Sequence, residues 1–152
     1  MSEIGSERVL VFAPRGRDAD LTCQMLAGHG IDPERCMCGE ELIAAIRAGA
    51  GCAIVTSEGL ALEVRAALVA LLAEQPPWSD FPIIVLAGGL RHEDGLDLGN
   101  MTMLERPIAP ATLVAAVRAS LRGRRRQYDA RAAIHQRDQF LAMLGHELRN
   151  PL

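Results

Sequence analysis

Short runs of consecutive apolar residues alternate along this chain with longer stretches in which apolar positions recur every three or four residues. Val9-Leu-Val-Phe12, Ala53-Ile-Val-Thr56, Pro82-Ile-Ile-Val-Leu86 and Met101-Thr-Met-Leu104 are of the first kind. Runs of this length bounded by turn residues read as strands covered on both faces. Cys36-Met-Cys38 is a weaker run of the same kind. Between them, Leu21, Met25 and Leu26 mark one helix, and Glu41 to Arg47 a second that Gly49 closes. Leu60 to Glu74 marks a third, stopped by Pro76-Pro77, while Leu113, Val114, Val117 and Leu121 stripe one face of a helix over Ala111 to Leu121. Gly88-Gly89 and the polar stretch Arg91 to Gly95 leave room for only a short fourth helix, or none. Five strands alternating with helices predict an α/β fold, a doubly wound parallel sheet.

A second apolar pattern starts near Gln127, where the sequence turns helical again. Ile134, Leu141, Leu144 and Leu148 fall at heptad spacing, with Ala130 and Arg137 as weaker members of the seam. A stripe of this kind needs a partner helix, and a parallel pair of such arms, a homodimer, is the expected arrangement. The pattern divides the chain into residues 1–121, one α/β domain, and residues 122–152, a linker helix followed by the arm.

Charge sharpens this division. Residues 1–121 carry 9 Arg against 16 acids, and residues 122–152 carry 7 Arg against 3 acids. The cluster Arg122-Gly-Arg124-Arg125-Arg126 could touch nucleic acid or a membrane surface, but it has no interleaved aromatics, so a solvated linker helix is expected instead. No apolar run nears the roughly 20 residues that span a bilayer, and the N-terminus lacks the basic and apolar regions of a secretory signal, so a cytoplasmic protein is expected. Cys23, Cys36, Cys38 and Cys52 do not form paired zinc-type spacings, and His29, His92, His135 and His146 are scattered. Reduced, buried thiols and no metal site are the expectation. Ala13-Pro-Arg-Gly16-Arg lacks the glycine spacing of a dinucleotide-binding turn.

In a parallel sheet of this type the working residues sit at the carboxyl ends of the strands. Strand spacing and the turn Leu104-Glu-Arg106-Pro107-Ile108 make residues 8–121 resemble the receiver domains of response regulators, whose fold is flavodoxin-like. The resemblance implies paired acids after the first strand to hold magnesium, an Asp after the third to take the phosphoryl group, and a hydroxyl and a Lys on the fourth and fifth. Here those positions fall on Ala13 and Pro14, on Ser57 with Glu58 next to it, on Ala87 and on Arg106. Hard oxygen ligands and a carboxylate nucleophile are missing. The domain is therefore expected to be a pseudo-receiver that is not phosphorylated. Glu58 could imitate a phosphorylated Asp by pairing with Arg106, whereas Asp18 and Asp20 are expected to be surface or capping groups of the following helix.

The run Phe140-Leu-Ala-Met-Leu-Gly-His146-Glu147-Leu-Arg-Asn150-Pro151-Leu152 closely resembles the H-box of bacterial two-component histidine kinases. At about 100° per residue, His146 lies roughly 140–160° from Leu141, Leu144 and Leu148, so it points away from the seam. The resemblance implies that His146 is the phosphoacceptor and that Asn150 assists phosphotransfer or dephosphorylation of the partner. Glu147, adjacent in sequence, is the candidate general base. Pro151 is expected to bend the helix. ATP and magnesium belong to the parent kinase and none to these residues, which carry no glycine-rich ATP lid; the expected partner is a cognate response regulator. The competing expectation is a scaffold or phosphotransfer module that works through protein–protein contacts.

Overall fold

The computed structural model describes residues 5–88 and 97–149. Its strands are β1 (Val9–Phe12), β2 (Pro33–Arg35), β3 (Cys52–Thr56), β4 (Ile83–Ala87) and β5 (Met101–Glu105). Its helices are α1 (Asp18–Ala27), α2 (Gly39–Ala48), α3 (Leu62–Ala73) and α4 (Pro110–Arg149), with a 3-10 turn at Ser57–Gly59. The strands form one parallel sheet in the order β2-β1-β3-β4-β5, the flavodoxin-like topology.

Successive side chains of a strand point to opposite faces, so the apolar runs of β1, β3 and β4 feed two cores at once. Val9, Val11, Ile54, Ile84 and Leu86 pack with Ala19 and Leu26 of α1 and with Leu113, Val114 and Val117 of α4. Leu10, Phe12, Val55, Ile83 and Val85 pack on the other face with Leu42 of α2, Leu68 of α3 and Phe81. That double demand is why the central strands read as continuous apolar runs. Gly49 closes α2 at φ +115°, a conformation that L side chains rarely adopt.

Several expectations need correcting. The second strand is Pro33–Arg35 and not Cys36-Met-Cys38, because β2 is an edge strand whose side chains need not be apolar. Cys36 follows it as a buried residue whose backbone N–H donates to the Val11 carbonyl at 2.8 Å. The third helix begins at Leu62, after the 3-10 turn, where Leu60 is buried in the core. The stretch expected to hold a short fourth helix or none, 89–96, lies outside the described residues.

The largest departure is at the C-terminal side. No break separates the sheet-covering helix from the arm: α4 runs unbroken for 40 residues, about 60 Å at 1.5 Å per residue. The Arg-rich stretch is helical, as expected of a linker helix, since arginine is a good helix former, and Arg122, Arg125 and Arg126 are exposed; Arg124 departs from the expected solvation. Arg124 is only 6% exposed. It is wedged among the rings of Trp78, Phe81 and Tyr128, with its guanidinium carbon 5.6, 5.2 and 4.9 Å from their centroids. The helix thus stays against the body through Tyr128, whose hydroxyl donates to the carbonyls of Ser6 and Ala50. From Ala132 on, its described side chains are exposed, apart from a half-covered Gly145. Among the described residues no helix is long and apolar enough to cross a membrane.

Candidate functional site

The carboxyl ends of the strands bring the predicted pocket residues together. Ala13, just past β1, is buried, and Pro14 is exposed. Ser57 and Glu58 open the 3-10 turn after β3, Ala87 ends β4, and Arg106 follows β5. The ladder continues into the site, since the Arg106 backbone N–H donates to the Ala87 carbonyl at 2.9 Å. The Gly88 N–H lies 3.4 Å from Ser57 Oγ, which accepts from it. A side chain at Gly88 would crowd the site, its Cβ meeting Arg106 Nη2 at 3.3 Å.

At the centre is an ion-pair cluster. Arg106 Nη2 donates to Glu58 Oε1 at 2.5 Å, and its Nη1 donates to Asp18 Oδ2 at 3.1 Å. The Glu58 and Arg106 side chains are 29% and 27% exposed, so water screens this pair only in part. Burial pushes the Glu58 carboxyl up, but its own backbone N–H and the hydrogen bond and charge of Arg106 outweigh that, holding it below the usual value of 4.5. Asp18 corrects the sequence reading. It lies in the first turn of α1 without making a side-chain cap, and it is the second carboxylate on Arg106. Asp20 does behave as a surface group, paired with Arg35.

Magnesium does not fit this arrangement. The side chains of Ala13 and Pro14 offer no oxygen, and the two carboxylates present are already held by a fixed cation. Among the described residues no cluster of three His, Cys, Asp or Glu side chains could hold a metal. All four cysteines are free thiols, but only Cys36 and Cys52 are buried; Cys38 is exposed and Cys23 half-buried. The expectation of four buried thiols is corrected accordingly, because Cys38 precedes α2 on the surface rather than lying in a strand.

The second candidate site is on the arm. His146 and Glu147 are exposed, on the last turn of α4. Ile134, Leu141, Leu144 and Leu148 are exposed as well and form an uncovered apolar seam, flanked by Phe140, whereas exposed Met143 lies on the side of the helix nearer His146. Asn150 and Pro151 lie outside the described residues. Arg137 is exposed and sits beside Asp138 at 3.6 Å.

The sequence matches no family model and no curated protein. Solved structures do resemble it. The CheY-like receiver domain protein from Methanospirillum hungatei JF-1 aligns over 81% of this chain and 99% of its own, at 19% identity and TM-score 0.65. The receiver domain of the Francisella response regulator 1452 covers 77% and 98%, at 20% identity and TM-score 0.63. A fusion that carries the yeast Spc42 trimeric coiled coil covers 94% and 95%, at 15% identity and TM-score 0.59. The fold is therefore that of a CheY-like receiver domain, extended by a long C-terminal helix.

Proposed function

We propose that this chain is the regulatory and dimerisation part of a two-component histidine kinase, with His146 as the residue that carries the phosphoryl group. The run Phe140 to Leu152 carries this reading, since it combines the histidine, the adjacent acid and the Asn-Pro-Leu end in one continuous stretch of sequence. The exposure of His146, away from the apolar seam, supports it: an in-line phosphoryl donor needs open access to an imidazole nitrogen.

In this reaction the imidazole nitrogen bonds to the γ-phosphorus of ATP as the bond to the bridging oxygen breaks and ADP leaves. Glu147 takes the imidazole proton. The phosphoryl group then passes to an Asp carboxylate of a separate response regulator. The seam of Ile134, Leu141, Leu144 and Leu148 pairs two such arms in parallel, because an exposed apolar stripe at heptad spacing is buried by a second copy of itself. The receiver-like body is not phosphorylated, because Arg106 and Glu58 already form the ion pair that a phosphoryl group would otherwise bring about.

Autophosphorylation with labelled ATP tests this, using the complete gene product beside its His146→Gln variant. Acid-labile label that disappears with the substitution is expected. Label that survives it would refute the assignment. Label that appears only when a second kinase is supplied would make the helix a phosphotransfer module instead.

A further inference from the structure

An open cavity of about 450 Å³ lies at the end of the sheet opposite the degenerate acceptor pocket, where α4 leaves the body. One wall comes from α2, α3 and the segment that leads into β4, through Ile46, Leu72, Trp78 and Phe81; the other is α4 itself, through Arg124, Tyr128 and Arg131. Its size lies within the ordinary range of small-molecule sites.

The electrostatics of this cavity are unbalanced. Arg124 is more than nine-tenths buried, yet every group that accepts from it is neutral. Its Nε donates to the Ala50 carbonyl and the Tyr128 hydroxyl at 3.3 and 3.2 Å, and its Nη1 to Ser79 Oγ and Gln127 Oε1 at 2.8 and 2.7 Å. Its Nη2 has no acceptor among the described residues. A buried guanidinium usually has an anion beside it, because removing the charge from water is otherwise costly. A second cation, Arg131, stands over the Trp78 ring at 5.8 Å, also without a carboxylate partner among the described residues. The acid in the lining, Glu74, sits 3.7 Å from Arg47.

We infer that this cavity binds a small aromatic carboxylate. The flat ring would lie against Trp78 and the apolar wall, and the carboxylate would accept from Arg124 Nη2 and from Arg131, supplying the missing counter-charge. Such a ligand touches the body and the root of α4 together, so it would bias the position of the arm. Binding itself does not depend on the kinase reading, because it is read at Trp78 and not at His146.

Trp78 is the sole tryptophan of the chain, so its emission reports directly on the cavity. The purified chain is titrated with benzoate and trans-cinnamate, and with benzamide and cinnamamide as uncharged counterparts, with calorimetry as a second readout. A saturable change with a dissociation constant of about 1 mM or tighter is expected for at least one carboxylate. Its amide should bind at least tenfold more weakly, and so should the carboxylate to Arg131→Gln, a surface change that leaves the fold intact. Arg124→Met, checked by circular dichroism, should abolish binding if it folds. The inference is overturned if neither carboxylate saturates in the millimolar range, if amide and carboxylate bind alike, or if Arg131→Gln binds as well as the parent.

Discussion

Replacing Glu58 by Gln removes one charge from the acceptor pocket while keeping its shape, and its cost follows from the geometry. The 2.5 Å contact with Arg106 is charge-assisted, and both side chains are nearly three-quarters buried, which places the pair between a solvated ion pair and a fully buried one. Arg106 keeps Asp18 as a partner, so no orphaned cation remains. About 1 kcal/mol of stability at pH 7 should be lost, roughly 2–4 °C in Tm for a chain of this size. The pH dependence has a definite sign. The folded-state pKa of Glu58 is depressed, so its contribution is fully present above the unfolded value and is lost as pH falls through the folded one. Gln cannot titrate there. Urea unfolding of the two proteins, followed by circular dichroism from pH 7 downward, should therefore show a gap that closes as the pH drops below the carboxylate range. A gap that is absent at pH 7, or that widens on acidification, would show that the Glu58–Arg106 pair does not stabilise the pocket.

Two further outcomes follow from burial and exposure. With an aromatic disulfide reagent at pH 8, Cys38 should react quickly in the native protein, whereas Cys36 and Cys52 should react only after unfolding. Burial pushes their thiols up to about 11 and about 12, which at Cys52 leaves about three orders of magnitude less thiolate than a free thiol. Fast reaction of all four would contradict the packing. Leu141→Ser with Leu144→Ser should weaken self-association in analytical ultracentrifugation by at least a hundredfold, since each leucine buried between arms contributes about 2 kcal/mol. An unchanged sedimentation profile would mean that the seam does not pair the arms.

The receiver-like body explains why charge can be kept while chemistry is lost. A working pocket needs oxygen ligands, a nucleophile and a cation that can wait for a phosphoryl group. Here Arg106 is already committed to Glu58 and Asp18, so the carboxyl end of the sheet is an internal clamp. At the opposite end of the sheet, Arg124 and Arg131 line a cavity beside the root of the arm, with no carboxylate paired to either among the described residues.

The local pattern of residues was enough to determine the α/β alternation, the two-faced central strands, the loss of acids at Ala13 and Pro14, and the arm with its seam and His146. Each is written within a few neighbouring positions, and hydrophobic period and motif spacing are local quantities. Only the tertiary structure decided which charges meet. The resemblance offered Glu58 as a partner for Arg106, and the fold realises that pair across 48 residues; it also adds Asp18 across 88, and nothing near Asp18 in sequence distinguishes it from Asp20. The same holds for Arg124, one of four arginines in a row of five, which sequence charge assigned to solvent. Its burial depends on Trp78, Phe81 and Tyr128 arriving from separate elements to surround it. The edge strand at Pro33–Arg35 was hidden for a related reason: at the margin of a sheet, pairing with β1 is set by the backbone, and its side chains carry little hydrophobic signal.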